Sequence, residues 1–183
     1  MVILRGVDPE RKEMTENIDD ILSKLNAPWI TKDGYLDWAK FPIDSVLKQV
    51  LSPKYDKFQS ACRTLASMYS AGRTEAGIFL FGLLIHNADN IIQKTAIVEA
   101  LVHVQTKQAA DLLFRELRFT VSSNSTRKYI NSILKTLKHF PFELIEEGFE
   151  ELLSDKKWSH RMKSKFKDIV EFVEHENWDL NSL

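Results

Sequence analysis

The sequence predicts an all-α protein, made of stacked helix pairs behind an irregular N-terminal segment. Three observations carry this expectation. First, Ala76-Gly77-Ile78-Phe79-Leu80-Phe81-Gly82-Leu83-Leu84-Ile85 is a run of ten residues without a polar side chain. It is about half the length that spans a bilayer, so it reads as a buried helix covered by neighbours on every side. Second, apolar residues keep helical spacing from Tyr55 to about residue 174, interrupted only by short polar joints. Third, the pattern repeats. A shift of 33 residues lays Ala76 on Ala109, Leu80 on Leu113, Leu84 on Leu117, Ile97 on Ile130, Leu101 on Leu134 and Val104 on Leu137.

Taken in order, Asp8 and Pro9 supply an N-cap and a first helical position. Met14, Ile18, Ile21, Leu22 and Leu25 continue that helix until Asn26-Ala27-Pro28 stops it. From Trp29 to Phe41 no period holds. Two tryptophans and the Lys32-Asp33-Gly34 turn signal predict a loop packed by its own aromatics. Pro42 to Leu51 forms a short helix with Ile43, Val46, Leu47 and Val50 inward. Helices then follow at 55–69, 74–86, 90–104, 107–119, 125–139, 142–153 and 159–174. Gly72 suits the left-handed position after the first of these, and Asn124 and Ser125 are natural N-caps. The expected organisation is one domain over 1–183: an irregular helical part (1–53), repeats (54–175) and a tail (176–183).

A repeat of this length with two helices means a solenoid, because one pair cannot bury its apolar face alone. A further shift of 32 carries Leu113 to Ile145 and Leu134 to Phe166, but sets Ile133 against Lys165. The stretch Ile97-Val98-Glu99-Ala100-Leu101-Val102-His103-Val104-Gln105-Thr106-Lys107-Gln108-Ala109-Ala110-Asp111-Leu112-Leu113 resembles the joint between repeats in HEAT-like proteins. There an apolar second helix ends in a polar turn and an Ala-rich first helix follows. The resemblance covers roughly 55–174, without the Pro and Asp-Val-Arg marks of the strict consensus. It implies a right-handed α-α superhelix whose second helices line the concave side.

Composition excludes several functions. A net charge of −1 provides no overall field toward nucleic acid or an anionic membrane, so such a partner needs a local patch. The single cysteine, Cys62, has no internal disulfide partner and sits among apolar neighbours. We read it as a packed core thiol in a reduced, cytoplasmic protein. The start of the chain has too short an apolar run for a signal peptide. The histidines fall in no zinc frame, Glu171 and His175 lack a third ligand, and the Glu146-Glu147-Glu150-Glu151 cluster lacks facing Glu-x-x-His partners. We therefore assign no catalytic residue, no metal and no cofactor. Gly77 and Gly82 inside a helix indicate close approach of a neighbouring helix.

One feature stands above background. Between Ser122 and Phe140 there are four basic residues and no acid; between Lys156 and Lys167 there are six and no acid. The helix between them carries Glu143, Glu146, Glu147, Glu150 and Glu151 and no base. Alternate helices of a solenoid lie on alternate sides, so this segregation puts opposite charge on two faces. Arg127, Asn131, Lys135, Arg161, Lys163 and Lys167 are the candidate partner-binding face. The 32-residue register expects Asn131 beside Lys163 and Lys135 beside Lys167, with Arg161 falling on Tyr129. Salt bridges between adjacent helices would instead make this a solvated surface. The expected function is a non-enzymatic scaffold or adaptor binding a protein partner with an acidic segment. The alternative is nucleic-acid binding in the same groove. That reading includes a relationship to HEAT-like DNA glycosylases, although the middle second helices lack their tryptophans and aspartate.

Overall fold

Short polar joints divide the chain into helices close to where the sequence places them. A computed structural model describes residues 28–31, 33 and 35–181, with side chains as far as residue 175. The helix expected over 8–25 lies outside the described residues. The chain divides into two compact units, 1–42 and 43–183. In the first, Ile30 and Leu36 form an isolated antiparallel bridge, with Thr31 donating to the Tyr35 carbonyl at 2.8 Å and Asp37 to that of Trp29 at 2.8 Å. Phe41 packs on Trp29 and Trp38 at ring distances of 6.2 and 5.5 Å, so this loop is held by its own aromatics.

The second unit is all-α among the described residues. Its helices are α1 (Ile43–Val50), α2 (Tyr55–Ser70), α3 (Thr74–His86), α4 (Ile91–Ala100), continued by a 3-10 turn (Leu101–His103), α5 (Lys107–Phe119), α6 (Arg127–Leu137), α7 (Phe142–Ser154) and α8 (His160–Asn181). Thus α1 falls in the second unit, with the helices that follow it. Likewise α8 runs through most of the segment expected to be a tail. Local chemistry sets the ends. Gly72, at φ 92°, takes the left-handed position, and Arg73 N–H reaches back to the Met68 carbonyl at 3.0 Å. Asn90 caps α4 through Gln93 N–H at 3.1 Å, and Thr106 caps α5 through Ala109 N–H at 3.2 Å.

Consecutive helices pair, and the pairs stack. The second helices α2, α4 and α6 lie side by side, while α5 packs on α7 and α8 on α7. The 33-residue shift is visible in burial: Ala76 and Ala109, Leu80 and Leu113, Leu84 and Leu117, and Ile97 and Ile130 are all core residues. Toward the end of the stack, Phe149 meets Phe114 at 5.2 Å and Phe166 at 6.0 Å, and Trp158 meets Phe166 at 5.3 Å.

Helix α3 corrects the expectation of cover on every side. It packs on α2 and α4, which bury only Ala76, Gly77, Leu80 and Leu84. Ile78 is 67 % exposed, Phe79 38 % and Ile85 57 %. The glycines separate accordingly. A Cβ on Gly77 would stand 2.8 Å from the Tyr69 ring and 3.4 Å from Val104, whereas one on Gly82 would meet nothing within 4 Å. Close approach explains Gly77 and not Gly82. The tightest case is Gly148, where a Cβ would run into the ring of buried Phe114.

A buried polar knot ties three helices together. Lys94 of α4, 8 % exposed, pairs with Glu116 of α5. Tyr129 of α6 donates its hydroxyl to the same Glu116 oxygen at 2.6 Å, and the Lys94 ammonium lies 5.1 Å from the Tyr129 ring centre. Burial, with Glu116 beside it, holds the Tyr129 hydroxyl well above the ordinary tyrosine range. Nearby, Thr136 donates to the Val98 carbonyl at 3.1 Å. Buried charge is tolerated when it is paired and hydrogen-bonded, and this knot meets both conditions.

Candidate binding groove on the second-helix face

The groove begins with a correction to how α6 starts. Neither Asn124 nor Ser125 caps its backbone; the helix opens at Arg127 behind Thr126. Residues 122–126 instead form a turn tied by hydroxyls: Thr126 donates to the Val121 carbonyl at 2.6 Å, and Ser123 N–H donates to Thr126 Oγ1 at 2.9 Å. Asn124 is then free to take a different partner, and Arg127 Nη2 donates to its side-chain oxygen at 2.7 Å. Along α6, the Asn131 oxygen accepts from Lys165 Nζ of α8 at 3.2 Å. Further on, the Lys138 ammonium stands 3.3 Å over the Phe172 ring centre. These side chains bridge α6 and α8, whose backbones do not pack closely as those of α2, α4 and α6 do.

Between the first turns of the two helices lies a hollow of about 470 Å³. Arg127, Asn131, Arg161 and Lys165 line it, hydroxyls of Ser123 and Ser159 border it, and among the described residues no carboxylate or aromatic ring does. Helix dipoles add partial positive charge there. A larger hollow of about 760 Å³ opens over α2, α4 and α6. Arg63, Glu99 and Lys135 stand along it, one per helix, followed one turn later by Ser67, His103 and His139.

The structure therefore brings together three of the six expected residues: Arg127, Asn131 and Arg161. Lys135 lines the other hollow, and Lys167 is exposed and lines neither. Lys163 turns away, donating at 2.5 Å to the Leu153 carbonyl at the end of α7. The stacked pairs Asn131–Lys163 and Lys135–Lys167 are thus replaced by Asn131–Lys165. Both side-chain contacts between the two helices, Asn131–Lys165 and Lys138–Phe172, join residues 34 apart rather than 32. Lys165 was missed, yet it carried a signal: a lysine set against Ile133 cannot occupy an equivalent core position. Arg63, Glu99, His103 and His139 gave no signal, because they look like ordinary exposed helix residues.

Charge pairing separates the two sides of the stack. Two acids of α7 are met by bases of α5: Glu147 by Lys107 at 3.4 Å, and Glu151 by Arg118. Among the described residues, none of the ten basic residues within 122–140 and 156–167 makes an ion pair. Lys157 and Lys163 bond to helix-end carbonyls, Lys157 reaching those of Arg118 at 2.6 Å and Thr120 at 2.8 Å. These two are structural caps. The remaining cations keep their charge for solvent or a ligand.

The other chemical candidates stay outside this face. Cys62 is fully buried, and burial pushes its thiol up to about 12, so it is inert. Among the described residues no three His, Cys, Asp or Glu side chains converge as a metal site, and no helix is long and apolar enough to cross a membrane. Trp158 is a core residue. No family model, no curated protein and no solved structure matches the chain.

Proposed function

We propose that the chain is a HEAT-like repeat scaffold of the cytoplasm, without enzymatic activity, that holds an acidic segment of a protein partner along α6 and α8. One observation carries this reading: Glu147 and Glu151 of α7 are paired with bases of α5, while among the described residues the bases of α6 and α8 make no ion pair. Unneutralised like charges on one surface repel, and an acidic segment relieves that repulsion while gaining attraction. The lining without aromatic rings favours an acidic peptide over single-stranded nucleic acid, which binds largely by stacking bases on such rings.

The test is fluorescence anisotropy of a labelled oligoglutamate peptide against wild-type protein and a variant with Arg127→Glu, Arg161→Glu and Lys165→Glu. Wild type is expected to bind, and to bind more weakly as salt rises. The variant is expected to lose binding while keeping its melting temperature, since surface changes usually cost under about 0.5 kcal/mol each. Equal binding by both proteins sinks the proposal.

A further inference from the structure

The two hollows on this face differ in charge. Glu99 sits among the cations of the larger one, whereas the α6–α8 hollow has Arg127, Arg161 and Lys165 on its walls and, among the described residues, no carboxylate. Two of these cations are fixed by neutral oxygens, Arg127 by Asn124 at 2.7 Å and Lys165 by Asn131 at 3.2 Å. An amide oxygen orients a cation without cancelling its charge. It also leaves the amide's own N–H donors available to an anion in the same hollow.

Three full charges and two amide groups around one cavity suit an anion with two charges and three terminal oxygens. A carboxylate offers one charge and two oxygens; a phosphate monoester offers the fuller set near neutral pH. The two arginines add planar forks that bind phosphate through paired hydrogen bonds, and Lys165 adds a point charge. We infer that the α6–α8 hollow receives the phosphate of a phosphorylated serine or threonine carried by the partner's acidic segment. This rests on the function proposed above and narrows it to one site. A nucleic-acid backbone suits the hollow less well, since each phosphodiester carries a single charge and no ring is present to stack a base.

The experiment compares labelled peptides of equal length: glutamate-rich with a central phosphoserine, the same with a central glutamate, and the same with a central serine. A single-stranded oligothymidylate serves as the nucleic-acid arm. The phosphoserine peptide is expected to bind wild type about tenfold tighter than the all-glutamate peptide, one decade in Kd. Arg161→Gln and Lys165→Gln should each weaken both acidic peptides but the phosphoserine peptide more, shrinking the tenfold gap between them to about threefold or less. Equal affinity for phosphoserine and glutamate overturns the phosphate site and leaves the acidic-segment reading standing. A phosphoserine gain untouched by either substitution places the phosphate elsewhere and overturns it too. Oligothymidylate binding tighter than the phosphoserine peptide, and weakened by the same substitutions, assigns the hollow to nucleic acid. Failure of the all-glutamate peptide to bind wild type counts against the acidic-segment reading; absence of a phosphoserine gain counts against the phosphate site.

Discussion

Replacing Glu116 by alanine should damage this fold more than any surface charge change. Its carboxylate meets the ammonium of Lys94, a residue 8 % exposed, and the same oxygen accepts the Tyr129 hydroxyl at 2.6 Å. Without it, a buried cation keeps only the Tyr129 ring 5.1 Å away, and a phenol donor loses its acceptor. Removing one member of a buried pair costs about 3–5 kcal/mol. Orphaning a buried donor costs about 1–3 kcal/mol. Both losses pass through one oxygen, so they overlap rather than add, and we expect a total of about 3–5 kcal/mol. For a chain of this size that lowers Tm by about 10 °C, read by circular dichroism melting. Pairing Lys94→Met with Glu116→Leu should restore stability to near wild type, because apolar replacement of a buried ion pair is often neutral or better. If Glu116→Ala falls within about 1 kcal/mol of wild type in urea unfolding, water reaches the knot and the burial argument is wrong.

The remaining predictions concern packing, pH and the end of the stack. Gly82→Ala, in open space, should raise stability by about 0.5–1 kcal/mol through helix propensity. Gly77→Leu and Gly148→Ala should each lower it by about 1–3 kcal/mol, by forcing the Tyr69 and Phe114 rings to move; the same sign at all three sites in urea unfolding would contradict the placement. Folded Cys62 holds its proton up to about 12, against an ordinary value of 9.0, and Tyr129 is also shifted upward. The folded state therefore binds more protons from about pH 9 upward, and stability should fall as pH rises through that window. An unfolding midpoint that stays level from about pH 8 to pH 11 would refute this. A chain stopped at Leu153 uncovers Phe149 and Leu152 and removes the Lys163 cap, so it should aggregate or melt earlier. A monomeric truncation of equal stability would show α8 to be an appendage.

Helix limits were legible because the joints carry their own chemistry: Gly72 in the left-handed region, Asn90 and Thr106 as caps. The core was legible because the repeat lays buried residue on buried residue, as with Leu80 and Leu113. What hydropathy does not encode is how many neighbours a helix receives. For that reason the uncharged α3 run overstated its own burial, and Ile78 and Ile85 lie exposed. Charge segregation singled out Arg127 and Arg161, and the structure places both on one hollow with Asn131. Membership of the basic face failed at Lys163 and Lys165 because a 32-residue register does not say where a long side chain reaches: Lys163 turns to the Leu153 carbonyl and Lys165 to Asn131. Lys94 and Glu116 were invisible as a pair: charged residues on different helices read as solvated until the fold brings them together. Gly148 escaped notice because only the fold brings the Phe114 ring to the place where its Cβ would stand.

The central claim is that ligand binds in the hollow between the first turns of α6 and α8. The most direct measurement maps amide chemical-shift changes as oligoglutamate is titrated into isotope-labelled protein. Changes are expected to cluster at residues 122–135 and 159–167 and to leave α5 and α7 unmoved. Changes confined to the exposed stripe of α3, to the Trp29–Phe41 loop or to the outer surface of α7 would contradict the claim and assign the binding surface elsewhere.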